Sequence, residues 1–244
     1  INEFLYRQMR RSVEDVVQRA GLGPELARSS VLDVGSGSGA WVAFWVQNGA
    51  TDVTGWDLTE TSVSQLSQRF PNLTFRQVDI GAPDAPSERV FDVVSAIAIL
   101  QHITDDDRFA QALRNLSGLV AEDGALIVMD PVVVHEDWGP GYTEQSVAKA
   151  RPLAQWDRLL SDAGLRRVEI GPVTALLANP VDSRRPLTYR ALDIYWSALA
   201  KVVGRHETRG RIAGWPLYLA DRAIIAASRV GPSTKTMLIR HATG

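Results

Sequence analysis

The chain has 244 residues, of which 45% are hydrophobic and 22% charged, a composition typical of folded globular proteins and not of disordered or fibrous ones. Lys and Arg number 26 against 28 Asp and Glu, so no broad positive field would attract a phosphate backbone, and we expect no nucleic-acid partner. The absence of cysteine excludes disulfides, thiolate metal sites and cysteine nucleophiles, and it suits a cytoplasmic location.

The N-terminal segment is predicted to be an amphipathic helix. Apolar residues recur at helical spacing over residues 3–20, and Gly21 and Gly23 end the pattern. The segment is charged and does not resemble a signal peptide, and no run in the chain approaches the length of a membrane-spanning helix. Because the chain starts at Ile1 instead of Met, we expect further residues upstream. Residues 1–29 are predicted to form a helical segment or lid.

Strand patterns and helical patterns alternate along most of the remaining chain. The strand patterns lie at 29–37, 51–58, 72–80, 91–100, 124–131, 165–173 and 234–242. Such alternation builds a parallel sheet through right-handed crossovers. We therefore predict an α/β core over residues 30–175, completed by a last strand within residues 233–244.

About fifty residues between the last two strand patterns exceed what an ordinary crossover needs. Two largely apolar segments, 186–203 and 215–228, flank a basic stretch at 204–211, and they predict a helical insertion over residues 176–232. It could be a lid over the substrate, a dimer surface, or a patch that touches a membrane or a lipid-linked acceptor. We favour a lid or a dimer surface, because Trp and Tyr beside basic residues also occur in ordinary cores.

A glycine-rich loop, DVGSGSG at residues 33–39, stands where the first strand turns into a helix. Glycine there lets the backbone approach a ligand closely. A nicotinamide or flavin fold uses the spacing G-x-G-x-x-G to seat a pyrophosphate, whereas the spacing here is G-x-G-x-G. Asp33 precedes the first glycine by two residues, an unfavourable neighbour for a pyrophosphate but a suitable partner for the amino group of methionine.

Two further acids close the next two predicted strands. Asp57 stands where a carboxylate can accept from both hydroxyls of a ribose, which by itself does not separate S-adenosylmethionine (SAM) from NAD. Asp79 stands where it can bind an exocyclic amine of adenine, with Ile80 against the ring face. Asp33 could instead be a helix or turn cap, and Asp57 and Asp79 could each be a solvated strand end. Three acids at successive strand ends predict one cleft.

These segments resemble the class I SAM-dependent methyltransferase family over residues 30–175 and again at 233–241. The resemblance is carried by VLDVGSGSG, VTGWDL, FRQVDI, FDVVSAIAILQHI and GALIVMD. It implies an α/β, Rossmann-like sheet of seven mostly parallel strands flanked by helices, in the order 3-2-1-4-5-7-6 with strand seven antiparallel. It also implies an enzyme, a metal-independent transferase that uses SAM and releases S-adenosylhomocysteine.

The resemblance assigns cofactor contacts residue by residue. Those expected around the methionine part are Asp33, Gly35, Ser36, Gly37 and Gly39. The ribose is expected to contact Asp57 and Leu58, and the adenine Asp79 and Ile80. Near the sulfonium, after strand four, the expected lining is Ala96, Ile97 and Gln101.

Two histidines are candidate general bases. His102 follows strand four and His135 lies a few residues beyond strand five, both at the rim where ligands of open α/β sheets bind. Either could instead be a surface residue that only forms hydrogen bonds. Tyr6 and Tyr142 are secondary candidates.

The acidic run at residues 104–107 could suggest a metal site. Thr104 stands three residues before an acid at a predicted helix start, so we predict a capping box there and no metal site.

The predicted acceptor is a hydroxyl on a small molecule, such as a natural product, a sugar or a lipid-linked glycan. No Asn-Pro-Pro-Tyr motif follows strand four, which argues against methylation of amides or adenine by the route that this motif serves. An alcohol has a high pKa and needs a base, which a rim histidine would supply. The alternatives are N- or C-methylation of a small molecule, a SAM-binding module without catalysis, and an NAD oxidoreductase, which the loop spacing and Asp33 disfavour.

Overall fold

The residues described in the computed structural model are 2–86, 88–135, 146–203, 207–227 and 231–242. Side chains are described for all of these except 202–203 and 207–213. Tyr142 lies outside the described residues, as do the side chains of the basic stretch 204–211.

The described residues form helices and strands in alternation. The helices are α1 Asn2–Arg19, α2 Ala40–Gln47, α3 Glu60–Arg69, α4 Asp106–Leu119, α5 Leu153–Asp162, α6 Pro186–Val203 and α7 Glu207–Ala227. The strands are β1 Ser30–Val34, β2 Asp52–Asp57, β3 Thr74–Gln77, β4 Phe91–Ile97, β5 Val120–Asp130, β6 Val132–Val133, β7 Arg151–Pro152, β8 Leu165–Pro172 and β9 Lys235–His241.

Seven of these strands form one sheet in the order β3-β2-β1-β4-β5-β9-β8. The neighbours from β3 to β5 are parallel, and β9 is antiparallel to both β5 and β8. With β8 and β9 as the sixth and seventh strands, the predicted order and the predicted antiparallel strand are confirmed. The pair β6 and β7 was not predicted, because two residues per strand are too few to show a period.

The central strands are apolar on both faces because helices cover the sheet on both sides. In β4, Val94 and Ala96 point into one apolar layer, while Val93 and Ile97 point into the other. The first layer includes Phe109 of α4 and the second includes Trp45 of α2. This burial fixes the register of the sheet and so aligns the carboxyl ends of β1, β2, β4 and β5 along one edge.

Several predicted boundaries were wrong by a few residues. Strand β3 ends at Gln77, so Asp79 lies beyond it and does not close it. Strand β4 ends at Ile97, so Ala96 and Ile97 are its last two residues and do not follow it. The strand stops there because Ala98 takes a left-handed φ of 57° while its N–H donates to the Met129 carbonyl at 2.7 Å.

The cap predicted at the start of α4 was also placed wrongly. Asp105, and not Thr104, is the N-cap: it is extended, with φ −71° and ψ 131°, and its carboxylate accepts from the Arg108 N–H at 2.8 Å. Thr104 and Asp105 are both residue types that can cap a helix. The backbone just before α4 is held by a distant side chain. The side chain of Arg151 donates to the carbonyls of Ile103, Thr104 and Asp105 at 2.7, 3.3 and 3.4 Å.

The two helices α6 and α7 lie between β8 and β9, as the fold prediction required. Asp221 of α7 is fully buried and ties the insertion to the core. Its carboxylate accepts from Gln8 of α1 at 2.9 Å, from the Thr174 hydroxyl at 3.0 Å, and from the Ala175 and Leu176 N–H groups at 2.7 and 2.6 Å. This network joins α1, α7 and the segment after β8. The predicted domain boundaries stay predictions: 1–29, 30–175, 176–232 and 233–244.

We predict that Asp221→Ala lowers the free energy of unfolding by at least ~3 kcal/mol, because it leaves several buried donors without an acceptor. Chemical denaturation would measure this. Asp162→Ala is the matched control: Asp162 is exposed at the end of α5, and its loss should change stability by no more than about 0.5 kcal/mol. Equal stability of the two variants would contradict the structural role assigned to Asp221.

Candidate functional site

The glycine loop follows β1 as a tight turn into α2. Gly35 and Ser36 donate their N–H groups to the Trp56 carbonyl at 2.7 and 3.0 Å, which draws the loop over the end of β2. Gly35 has a φ of 75°, and a Cβ there would lie 2.3 Å from the Ile99 side chain. Gly39 has a φ of 78°, and a Cβ there would lie 2.5 Å from Leu66. Both positions therefore require glycine, on conformational and on steric grounds.

Asp33 is 1% exposed at the end of β1. Its Oδ1 accepts from the Ser95 hydroxyl at 2.8 Å, and that hydroxyl accepts from the Trp45 indole at 3.0 Å. Its Oδ2 is buried and has no hydrogen-bond partner among the described residues. Burial raises the pKa of the carboxyl from 3.8 to about 7, against the hydrogen bonds from Ser95 and Ser36, and the charge of Asp57 adds to the rise. A buried, unpartnered carboxylate oxygen fits an ammonium group.

Asp57 joins the glycine loop to the end of β2. Its Oδ2 accepts from the Gly37 N–H at 2.8 Å, and its Oδ1 accepts from the Thr59 N–H at 2.9 Å and the Thr59 hydroxyl at 2.8 Å. Burial works to raise the pKa of Asp57, but hydrogen bonds from Thr59 and Gly37 outweigh it, and the net pKa is lowered. The carboxylate is therefore ionised and half-buried, and Leu58, 61% exposed, stands beside it.

Asp79 lies next to Asp57, because the Val78 N–H donates to the Asp57 carbonyl at 2.9 Å. One carboxylate oxygen accepts from the Gly81 N–H at 2.9 Å, and the other pairs with Arg108 of α4. This ion pair was not predicted. Ile80 is only 7% exposed and packs in the apolar core.

Gln101 and His102 lie on a short 3-10 helix, Leu100–His102, just after the end of β4. Nδ1 of His102 lies 2.8 Å from the Val147 carbonyl, and a carbonyl only accepts, so Nδ1 carries the proton. In the neutral ring Nε2 then carries the lone pair, and this exposed nitrogen accepts a long hydrogen bond, 3.5 Å, from the side-chain NH2 group of Gln101. The geometry suits a group that accepts a proton at Nε2.

Residues 147–151, which we call the strap, pack against this turn and hold it by hydrogen bonds. The Lys149 N–H donates to the Gln101 carbonyl at 2.8 Å, and its ammonium lies 2.7 Å from Asp106. Arg151 is 1% exposed, donates to Asp106 at 3.0 Å and stacks 3.7 Å from the centre of the Phe109 ring. Burial lowers the pKa of Arg151, while Asp106 opposes that shift. The strap thus fixes the turn that carries the candidate base.

His135 is held differently, beside the start of β9. Its N–H donates at 2.8 Å to Asp182, whose other oxygen pairs with Lys235 at 2.8 Å, and both partners of that ion pair are fully buried. Arg184 donates to Nε2 of His135 at 3.3 Å, so that lone pair is occupied. Among the described residues no hydrogen bond joins His135 to the turn that carries His102, and His135 is the less suitable base of the two.

Tyr6 packs against Trp41 with ring centres 5.7 Å apart, and its buried hydroxyl has no partner within the described part of the chain. Burial raises the pKa of this hydroxyl, with the charge of Arg10 opposing and that of Asp33 adding to the rise. A raised pKa makes the tyrosinate harder to form, so Tyr6 is poorly suited to be a base.

Sequence reasoning missed other buried polar groups at this edge. Asp130 ends β5, is 1% exposed, and neither of its oxygens has a partner among the described residues. Burial raises its pKa well above the ordinary value, although the nearby Gln101 N–H and the charge of Arg151 oppose the rise. Ser95 interrupts the apolar run of β4, a signal that could have marked it as a buried hydrogen-bonding group.

Two larger features are absent from the described part of the chain. Within the described residues no group of three or more His, Asp or Glu side chains could hold a metal ion. In the same part of the chain, no helix has the length and apolar character to cross a membrane.

Comparison with known proteins agrees with this architecture. Residues 31–124 match the family described as "Methyltransferase domain". The ubiquinone biosynthesis O-methyltransferase of Paracidovorax citrulli is 35% identical over 101 residues, which are 39% of this chain and 42% of that protein. The match therefore spans less than half of that curated relative.

Two solved structures share the fold over nearly the whole chain. The O-methyltransferase from the trans-AT PKS multienzyme of Brevibacillus brevis, in complex with S-adenosyl-L-homocysteine, superposes with a TM-score of 0.59 at 16% identity, over 98% of this chain and 72% of that one. The [4+2]-cyclase SpnF superposes with a TM-score of 0.55 at 18% identity, over 93% of this chain and 82% of that one.

The sheet order and the glycine loop define the Rossmann-like class of fold to which SAM-dependent enzymes belong. Within that class, residues 31–124 match a methyltransferase domain. The resemblance recognised in the sequence is thereby confirmed.

The raised pKa of Asp33 predicts a pH-dependent stability. A carboxyl with a pKa of about 7 when folded and 3.8 otherwise stabilises the folded state at low pH, and this contribution is lost as the pH rises from about 4 through 7. Relative to Asp33→Asn, the wild type should therefore lose roughly 2–3 kcal/mol of unfolding free energy between pH 5 and pH 8. Denaturant titrations without SAM would measure this. Parallel pH profiles for the two proteins would refute the assignment.

The strap predicts unequal roles for two cations that share Asp106. Arg151→Met should cost about 3 kcal/mol of stability, because the carbonyls of residues 103–105 lose a buried donor. Lys149→Met, the matched control, removes a partly exposed ion pair and should cost at most about 1 kcal/mol. Hydrogen exchange at the amides of residues 101–106 should accelerate only in Arg151→Met. Equal costs would mean that the buried guanidinium does not hold the turn.

Proposed function

We propose that this protein is a methyltransferase that moves a methyl group from SAM to a hydroxyl of a small-molecule acceptor, with His102 as the general base. The observation that best supports a base is the fixed tautomer of His102. Its Nδ1 donates to the Val147 carbonyl at 2.8 Å, which leaves Nε2 exposed and able to accept a proton at the edge of the sheet where the glycine loop lies.

The residues at the ends of β1, β2 and β3 suit SAM, which supplies an activated methyl group on a sulfonium. The unpartnered Oδ2 of Asp33 would accept from the ammonium of the methionine part. The ionised carboxylate of Asp57 would accept from the ribose hydroxyls, beside the exposed Leu58. Asp79 would accept from the adenine amine, sharing its oxygens with Arg108.

The other proposed contacts are backbone and rim groups. Those proposed for the methionine part and the sulfonium are Gly35, Ser36, Gly37, Gly39, Ile97 and Gln101, with Ile80 near the adenine. Ala96 is fully buried within β4, so we propose for it only a packing role beneath the site.

On the acceptor side, the chain has to orient a hydroxyl and remove its proton. An alcohol oxygen becomes a competent nucleophile only as its proton leaves, and general bases contribute about 10²–10⁴-fold to such steps. His102 is oriented for this by the strap, and its Nε2 has only a long contact, 3.5 Å, with the neutral amide of Gln101, whereas the guanidinium of Arg184 donates to Nε2 of His135 at 3.3 Å. We therefore assign the proton transfer to His102 and keep His135 as the second candidate.

A hydroxyl acceptor is also supported by relatives. The curated relative from Paracidovorax citrulli is named for O-methylation in ubiquinone biosynthesis, and the solved Brevibacillus brevis protein is named an O-methyltransferase. A natural product, a sugar or a lipid-linked glycan each offers such a hydroxyl. The near balance of 26 basic and 28 acidic residues makes nucleic acid an unfavourable acceptor, and the lack of cysteine agrees with action in the cytoplasm.

A second candidate function is SAM binding without methyl transfer, and N- or C-methylation is a third. SpnF has this fold over 82% of its chain and is named a [4+2]-cyclase, so the fold also serves a protein with a different named reaction. An assay with methyl-labelled SAM separates these candidates. A labelled product shows methyl transfer, and the atom that carries the label separates O-methylation from N- or C-methylation.

We predict that SAM labelled in its methyl group will label one or more hydroxylated metabolites in a pooled assay. His102→Ala should lower the turnover number at least ~100-fold while the SAM dissociation constant, measured by calorimetry, changes less than about twofold. His241→Ala is the matched control, because His241 also contacts a carbonyl, that of Val120 at 3.0 Å, but at the opposite edge of the sheet.

The outcomes of this assay are distinct. Loss of turnover in His135→Ala alone would move the base to that residue. Full activity of both variants would exclude a histidine base, and SAM binding with no labelled product from any acceptor class would favour the binding module.

A further inference from the structure

A cavity of about 290 Å³ lies between α1 and α7, beside the end of β8. Gly171 and Pro172, the last two residues of β8, line one side of it, and Arg222 of α7 lines another. Ligand pockets usually measure ~300–1,000 Å³, so this cavity suits a compact molecule. It shares no lining residue with the proposed cofactor contacts or the candidate bases. We call it the α1–α7 cavity.

Helix α1 presents a polar line to this cavity. The polar members, separated from one another by three or four residues, are Gln8, Arg11, Ser12, Asp15 and Arg19. The polar side of an amphipathic helix normally faces solvent. Here it lines a cavity, because the apolar side of α1 covers the sheet and Asp221 of α7 is hydrogen-bonded to Gln8 at 2.9 Å.

The charges around the α1–α7 cavity are mostly positive. Three guanidiniums line it, those of Arg11, Arg19 and Arg222, against the single carboxylate of Asp15. Arg19 is paired with Glu169 at 2.6 Å, and Arg11 lies 4.0 Å from Asp15. Arg222 forms no ion pair with any described residue. The cavity therefore has an unbalanced positive charge, which favours an anionic ligand.

The geometry of the donors favours a phosphate group over a carboxylate. A phosphate accepts hydrogen bonds from several directions, whereas a carboxylate accepts in one plane. Guanidiniums that come from two facing helices, Arg11 from α1 and Arg222 from α7, therefore suit a phosphate better.

Gln8 adds a neutral contact to the charged ones. It is 1% exposed, its Nε2 donates to Asp221, and its Oε1 is buried without a hydrogen-bond partner in the described part of the chain. An amide oxygen only accepts, so a ligand that satisfies it has to offer a donor such as a hydroxyl group.

We propose that the α1–α7 cavity binds a small phosphorylated molecule that also carries hydroxyl groups, with Arg11 and Arg222 as the phosphate contacts. Arg11 is half-exposed, so the phosphate can enter from solvent on that side. The bound molecule bridges α1 and α7 and so holds the insertion on the core. This proposal does not rest on the proposed methyl-transfer function.

Calorimetric titration of the full chain with glycerol 3-phosphate tests the site, in a buffer free of phosphate and sulfate at about 50 mM NaCl. We expect saturable binding with a dissociation constant of roughly 0.05–1 mM. Arg222→Gln and Arg11→Gln should each weaken binding about tenfold, because each removes a charge-assisted donor. Circular dichroism would show that each variant remains folded.

Arg158→Gln is the matched control. Arg158 is also exposed and forms no ion pair among the described residues, but it lies on α5, which packs on the other face of the sheet from α1. Its loss should leave the affinity for glycerol 3-phosphate unchanged. Saturating SAM should also leave that affinity within about twofold, because the two sites share no residue.

Three results would overturn the proposal. The first is the absence of saturable binding up to about 10 mM glycerol 3-phosphate. The second is binding that Arg222→Gln and Arg11→Gln leave unchanged, or that SAM displaces, which would place the phosphate elsewhere. The third is malonate binding as tightly as glycerol 3-phosphate, which would assign the cavity to carboxylates.

Discussion

The tight turn after β1 is the constraint on which the rest of the site depends. Gly35 and Ser36 both donate to the carbonyl of Trp56, and Gly37 donates to Asp57, so two strand ends and one loop are held as a unit. Ile99 fills the space where a side chain at Gly35 would stand. The loop after β4 therefore packs on the loop after β1, and the proposed cofactor site and the proposed base cannot shift independently.

Buried carboxylates in this protein fall into two groups with different consequences. Asp182 and Asp221 are fully buried and well satisfied, the first by Lys235 and two N–H groups, the second by several donors. Asp33 and Asp130 are equally buried but retain oxygens without partners in the described structure. Because burying an unpaired polar group is costly, such groups persist mainly where a ligand or a function compensates. Both stand at strand ends on the same edge of the sheet.

The alternation of strands and helices could be predicted from short-range patterns, whereas the sheet order followed from the family resemblance. Asp33 and Asp57 stand at the ends of β1 and β2 as predicted, but Asp79 lies two residues beyond β3. The strap could not be predicted, since the bonds of Arg151 reach residues more than forty positions earlier in the chain. The same holds for the cap of α4. Thr104 and Asp105 are both capping residue types, and the guanidinium of Arg151, which binds the carbonyls of residues 103–105, holds the backbone in which Asp105 is the cap. The ion pair between Asp79 and Arg108 was missed for a similar reason, because it depends on how α4 packs beside β3.

The matched domain ends at residue 124, and the strap that fixes the proposed base lies beyond it. A shared cofactor has one shape, so the residues that hold it can stay similar between proteins, while acceptors differ and their contacts differ with them. His102 lies within the matched part, yet its tautomer is set by Val147 in the unmatched part. The proposed base therefore depends on both parts of the chain: its position comes from the turn after β4, and its tautomer from a segment beyond the matched residues.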